Sequence, residues 1–370
     1  MASVAAVEVS TGGASCGPGG ASFKAGGASS VARASAPGPC ESTHRAIRTH
    51  RGRKRWLVLG LAVVLALAVL SLFVGVGHVS PSALINDDGH ARDLLLLSRL
   101  PRTAAILLAG SASAVAGVVM QLMVRNRFVE PSTVGTTEAA QAGLLVTALL
   151  APAMPIAGRM GVAAVFALAG TALFLALLRA IPLRSAVTTP LIGIMLAGII
   201  GATTTFFAFQ FDLLQTLNSW TTGCFSGVIA GRFEMLWIVG ALAIVVYLVA
   251  DRFTVAGLGR DTATSLGLSY NAVRNLGLAI VATTAAVVVV VVGALPFLGL
   301  VVPNVVSMFA GDNLRRTLPW VALGGAGLVL VCDLIARTIA APFELPIGAV
   351  MGVFCGAFFL VLLLRRGRNV

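Results

Sequence analysis

Nine uncharged stretches, each long enough to cross a bilayer, recur along the chain at 56–77, 103–124, roughly 139–157, 160–178, 185–211, 235–250, 275–311, 317–332 and 345–364. A hydrocarbon core of about 30 Å needs about 20 apolar residues as a helix. The stretch at 275–311 is too long for one span and holds Pro296 and Pro303, so it divides into two. The count is then ten. Residues 213–231 carry no charge but are polar (Gln215, Asn218, Ser219, Thr221, Thr222, Ser226) and read as a short re-entrant or interfacial helix after the fifth span. Composition agrees: 58% hydrophobic and 11% charged residues, with a mean hydropathy of +0.96, leave too little charge to cover a soluble surface. The expected class is an all-α polytopic membrane protein.

Residues 1–55 form a Gly/Ala/Ser/Pro-rich tail ending in the basic run Arg45, Arg48, Arg51, Arg53, Lys54, Arg55. It lacks the apolar content for a core and reads as a disordered tail, with 56–366 as the membrane domain. The run from Trp56 to Gly77 has no small-residue cleavage site and reads as a retained first helix rather than a signal peptide. Ten spans put both termini on one side. With the termini inside, 20 of the 26 Lys and Arg residues fall on inner segments, so the positive-inside rule makes the termini cytoplasmic. The net charge of +12 is thus a topological signal, and no nucleic-acid partner is expected.

Much chemistry is missing from the sequence. The two lysines, Lys24 and Lys54, follow no G-x-x-x-x-G pattern, so no P-loop is present and ATP hydrolysis would belong to another subunit. An ion-coupled carrier places carboxylates or His inside its spans. Here Glu138 and Asp333 approach the interior only near predicted helix ends, and the four His lie outside the spans. The five Cys are scattered, without CxxC or Cys/His spacing, so no metal site, disulfide framework or cofactor is expected. No constellation for catalysis appears, and the chain reads as a non-enzyme.

The positive signal is the loop 251–274. Thr262 to Leu266 can form a short helix, with Asp261 as N-cap and Gly267 as its stop, and a second can start after Ser269. Such a helical knob suits docking to a partner that pushes on it; an ordinary amphipathic loop is the alternative.

Motifs then accumulate in order: Arg99-Leu-Pro-Arg102, Ala116-Gly-Val-Val-Met-Gln121, Arg125-Asn-Arg-Phe-Val-Glu-Pro131, Leu258-Gly-Arg-Asp-Thr-Ala-Thr-Ser-Leu-Gly267, Pro296-Phe-Leu-Gly-Leu-Val-Val-Pro303, Asp333-Leu-Ile-Ala-Arg337 and Glu344-Leu-Pro-Ile-Gly348. The set resembles the permease family of ATP-binding-cassette importers for iron-siderophores, haem and cobalamin, over roughly residues 56–366. Its departures (Asn126-Arg-Phe-Val-Glu-Pro131, Thr136-Thr-Glu138 and Pro303-Asn304) look like the branch handling petrobactin- and anguibactin-type catecholate siderophores.

The resemblance implies a type II importer permease. It would work as a homodimer or a pair of related permeases in the cytoplasmic membrane, with two ATPase subunits below and a substrate-binding protein (a lipoprotein in a Gram-positive host) above. It also implies inverted repeats in helices two to five and seven to ten. Arg99, Arg102 and Arg337 would meet glutamates of the binding protein, a task that suits the bidentate guanidinium fork; snorkelling to lipid headgroups is the alternative. Gly257, Gly259, Arg260, Asp261, Leu266 and Gly267 would couple to the ATPase. Thr203, Thr204, Thr205 and Gln210 on the fifth span are candidates for a weakly sticky pathway, with helix packing as the alternative. Asp333 and Glu344 read as structural partners of nearby arginines. The expected activity is import of a ferric siderophore, with cobalamin or haem next and an ion-coupled carrier third.

Overall fold

The computed structural model describes residues 39–74, 89–180, 188–229, 231, 233–311, 313–339 and 343–367. Among them the secondary structure is helical throughout, without strands. Residues 1–38 of the expected tail, 75–77 of the first expected span and 185–187 of the fifth lie outside the described residues.

Helix α1 covers Pro39–Phe73, and its apolar part is Arg55–Phe73. Residues 39–54 of the expected tail are thus helical, with Pro39 at the first helical position, where a proline is tolerated, and Gly52 inside the helix. Helix α2 (Gly89–Leu94) passes through a π-helical turn at Leu95–Arg99 into α3 (Leu100–Val124), and Pro101, which has no N–H to donate to the preceding turn, stands directly after that widened turn. A fold-back at 125–135, including the 3₁₀ turn Pro131–Val134, leads to α4 (Thr136–Leu150) and α5 (Ile156–Ala180). Next come α6 (Thr188–Gln210), the short α7 (Leu214–Thr221) where the polar segment was expected, and α8 (Leu236–Leu248). Helices α9 (Ala250–Gly257) and α10 (Arg260–Ser265) form the knob. The last four are α11 (Tyr270–Val291), α12 (Leu298–Ala310), α13 (Leu314–Thr338) and α14 (Ile347–Gly367).

Each predicted stretch holds a helix. Among the described residues six are long and apolar enough to cross a membrane, and the pair α8 and α9, bent by 67°, makes a seventh if counted as one span. Helices α4, α12 and α14 fall short by length or apolar run.

The 275–311 stretch breaks at 292–297, where Gly293 and Phe297 take positive φ, and not at Pro303, which lies inside α12. That proline cannot donate to the carbonyl of Gly299, four residues back. Gln121 of α3 supplies the missing donor, its Nε2 lying 3.2 Å from that oxygen. Asn304 Nδ2 donates to the Leu300 carbonyl at 2.7 Å and to the Arg127 carbonyl at 2.8 Å. At the same end of α12, the Glu130 carboxylate accepts from the N–H of Phe297 at 2.9 Å and draws on those of Gly299 and Leu300. A helix start with orphan donors is thereby capped from another part of the chain.

Small residues stand at the closest helix contacts, and large apolar side chains cover much of the outer surface. Helix α3 is the central element, with 72% of its best apolar window buried against 17% for α1. It meets α12 where Gly117 lies on Gly299; a Cβ added to Gly117 would stand 2.3 Å from the Gly299 Cα. It meets α13 where Gly110 lies on Gly325, whose Cβ would fall 2.4 Å from the Gly110 carbonyl oxygen. Outward on α6 lie Leu191, Ile194, Met195, Ile199, Phe206 and Phe209, all more than half exposed. The end of α7 is knitted to the break before α12: Ala294 N donates to the Trp220 carbonyl, and Cys224 N to that of Val292.

Candidate functional site

Three groups of candidate residues occupy different parts of the bundle. At one end, the starts of α2–α3 and the end of α13 bring Arg99, Arg102 and Arg337 together. Arg102 Nη2 binds Asp333 Oδ1 at 2.8 Å, and its Nη1 spans both oxygens of Glu344 at 3.0 and 2.8 Å. Arg337, one turn after Asp333 on α13, binds the other oxygen of that carboxylate. Its guanidinium also donates to the carbonyls of Ser71 and Val74 at 3.0 and 2.9 Å and to Ser71 Oγ at 3.1 Å. Arg99 Nη1 donates to the Leu72 carbonyl at 2.7 Å. Arg99 and Arg337 thus cap the C-terminal carbonyls of α1, where a cation is favoured by the helix dipole.

The cluster is buried: side-chain exposure is 12% for Arg102, 1% for Asp333 and 3% for Arg337, rising to 22% at Glu344. The expected partnership of Asp333 and Glu344 with arginines is present. The three arginines, read from the sequence as facing a binding protein, are engaged within the chain. The partners on α1, Ser71 and the neighbouring carbonyls, were invisible to motif reading because nothing in that apolar run marks them.

At the opposite end, α9 leaves the axis of α8 and buries Ala250, Phe253 and Ala256, while Leu258, Arg260, Asp261 and Leu266 stand exposed. Gly259, at φ +116°, makes the turn into α10. The short helix starts at Arg260 with Gly259 as N-cap, two residues earlier than the sequence suggests, and the Asp261 side chain does not cap it. Gly267, at φ +77°, is the expected stop: Leu268 N donates to the Ala263 carbonyl and Gly267 N to that of Thr264, a Schellman arrangement. After Ser269 the chain enters α11 directly rather than a separate short helix. The first turn of α9 is tied to α13 by Asp251 and Arg315, an exposed pair at 2.7 Å.

The pathway candidates are not brought together. Thr203, Thr204 and Thr205 follow one another on α6 and so point in directions about 100° apart. Thr204 is buried; Thr203, Thr205 and Gln210 are exposed. Each threonine hydroxyl donates to its own helix, to the carbonyls of Ile199, Ile200 and Gly201. Sequence reasoning also passed over Glu130 and Gln121, although both stand in the motifs it quoted; what hid them was that their partners lie on α12.

A bundle of apolar helices with small residues at its contacts and a helical knob at one end defines a multi-pass membrane protein. The FecCD transport family model matches residues 62–365, and the chain belongs to that family. It is 42% identical over 84% of its length to the petrobactin import system permease protein FatD of Bacillus anthracis, covering 91% of that protein. It is 40% identical over 82% of its length to the ferric-anguibactin transport system permease protein FatD of Vibrio anguillarum, covering 96% of it. A solved metal-chelate type ABC transporter in an inward-facing conformation superposes with a TM-score of 0.72 at 23% identity, over 84% of this chain and 99% of that one.

Proposed function

We propose that this chain is the membrane-spanning subunit of an ATP-driven importer that carries a ferric siderophore of the catecholate class into the cytoplasm. The observation that carries the reading is the 42% identity to a petrobactin permease over 84% of this chain and 91% of that protein. Further support comes from a knob whose exposed Leu258, Arg260, Asp261 and Leu266 offer an ATPase a mixed apolar and charged surface, while the chain's own lysines form no P-loop.

In this reading the ten apolar helices all count as spans, the shorter ones completed by their flanking turns, and α7 is a re-entrant piece. Both termini and the α9–α10 knob face the cytoplasm, and the arginine cluster faces outward. Two copies, or this chain with a related permease, enclose the pathway, with Thr203 and Gln210 on one exposed side of α6, Thr205 exposed on another and Thr204 packed between them. Gly257, Gly259, Arg260, Asp261, Leu266 and Gly267 form the ATPase contact. The binding protein docks over Arg99, Arg102 and Arg337; carboxylates of its lobes would add to, or exchange with, Glu344, the most exposed acid of the cluster.

Uptake of radiolabelled iron by a deletion strain and its complemented parent tests this. The panel holds catecholate, mixed catecholate and hydroxamate chelates, with labelled cobalamin and haem as controls. Loss of catecholate-iron uptake, restored by the gene, is the expected result. Unchanged iron uptake with lost cobalamin or haem uptake would overturn the cargo, and uptake that survives deletion of the ATPase would overturn the energy source.

A further inference from the structure

Helix α3 is held to α13 and to the knob at three levels. At the arginine end, Arg102 binds Asp333. Midway, the backbones of Gly110 and Gly325 are in contact, too close for a methyl group on Gly325. At the knob end the two helices part around a cavity of about 320 Å³, and α9 enters the fork. There a Cβ placed on Gly257 would lie 3.0 Å from Leu122 Cδ2 and 3.7 Å from Leu122 Cβ. Arg125 ends α3 in the left-handed conformation, at φ +53°. That turn lays its guanidinium over Gly259, with Nη1 2.9 Å from where a Cβ would stand. Beneath, Phe253 of α9 and Met123 of α3 both lie against Gly277 of α11.

We propose that α9, α10 and α3 form one mechanical body. Leu122 and Arg125 act as positioning residues that weld the knob to α3. Thrust on the knob then reaches the arginine cluster by displacement of α3 as a rod rather than by bending at its end. The packing favours a weld over a hinge. Sliding α9 off α3 would uncover Phe253, which is fully buried, whereas the 67° bend between α8 and α9 already provides a joint on the other side. This inference deepens the proposed function and rests on it.

The test uses the Cβ separation of 3.7 Å at Leu122 and Gly257, inside the range of about 3.5–4.5 Å that a disulfide requires. Leu122→Cys and Gly257→Cys are combined in a full-length chain whose native cysteines are replaced by serine or alanine. The chain is assembled with its ATPase and binding protein in proteoliposomes. Iron uptake from a catecholate chelate and ATP hydrolysis are measured on the reduced and oxidised forms of the same preparation, so the reduced form controls for folding and for any loss that Gly257→Cys causes at the ATPase contact, and only the ratio of the two forms is read. A weld predicts that the cross-linked form imports at the reduced form's rate. Uptake abolished on oxidation and restored by reductant would overturn it, because α9 would then have to move on α3. Conversely, cutting the contact with Leu122→Ala and Arg125→Ala together is expected to lower uptake per ATP hydrolysed about tenfold, an ordinary coupling between two sites. An unchanged ratio would also overturn the proposal. A wild-type chain that imports no iron chelate in this assay would sink the proposed function instead, and would be visible before any variant is compared.

Discussion

Asp333→Asn is the sharpest probe of the arginine cluster. Asp333 is 1% exposed and is the one carboxylate shared by Arg102 and Arg337, whose side chains are 12% and 3% exposed. The amide keeps the shape and removes the charge. Two neighbouring guanidinium groups are then left with Glu344 as their remaining ionic partner, and Glu344 reaches only Arg102. Arg337 retains the Ser71 hydroxyl and the carbonyls of Ser71 and Val74, but loses the carboxylate it binds directly and keeps only the more distant charge of Glu344. Removing one member of a buried ion network costs about 3–5 kcal/mol, because the other charge stays buried without its partner. For a domain of this size that is a fall in apparent Tm on the order of 10 °C. Thermal unfolding of the purified protein in a mild detergent, followed by size-exclusion, reads it. Asp251→Asn is the matched control: it breaks the Asp251–Arg315 pair, in which both side chains are more than half exposed, and should leave the transition where it was. Equal transitions for wild type and Asp333→Asn, or equal losses for the two variants, would refute the argument that burial sets the value of these pairs.

Two further perturbations address α12. Glu130→Ala strips the cap from the N-terminus of α12 and should cost about 1–3 kcal/mol, read as a lower unfolding temperature; Glu130→Gln, which keeps an acceptor, should lose less. Gln121→Leu should destabilise the wild-type chain by leaving the Gly299 carbonyl unpaired, yet be nearly harmless together with Pro303→Ala, which restores the local donor. Strict additivity of those two substitutions in a double-mutant cycle would show that Gln121 does not serve that carbonyl.

The helices were readable because charge marks their limits: Arg99, Arg125, Arg159 and Arg179 bracket runs that must be helical in a medium without water. The knob was readable for a different reason, since Gly259 and Gly267 are the residues that tolerate positive φ where the chain turns into and out of α10. Prolines misled. Pro296 lies in the break before α12, but Pro303 is absorbed into α12 because a side chain from α3 supplies the lost bond, and no local pattern shows a donor arriving from so far away. The arginines were legible as a group and not as a geometry. R-L-P-R and D-x-x-x-R place them at helix ends, but only the packing of α1 against α13 turns two of them inward to its carbonyls. The threonines of α6 were legible as residue types and not as a surface: they are adjacent in sequence, and helical rotation points them in different directions.

The dependence of α12 on distant partners bears on how the protein is made. Its cap comes from Glu130, 167 residues before Phe297, and the substitute for its missing bond from Gln121, 178 residues before Gly299. At 13 residues it is also short for a bilayer. A segment emerging from the ribosome with an open first turn and an orphan carbonyl has no reason to settle in lipid by itself. The earlier helices must already stand in the membrane and hold their polar groups ready, so α12 enters against a template formed before it and not as an independent span.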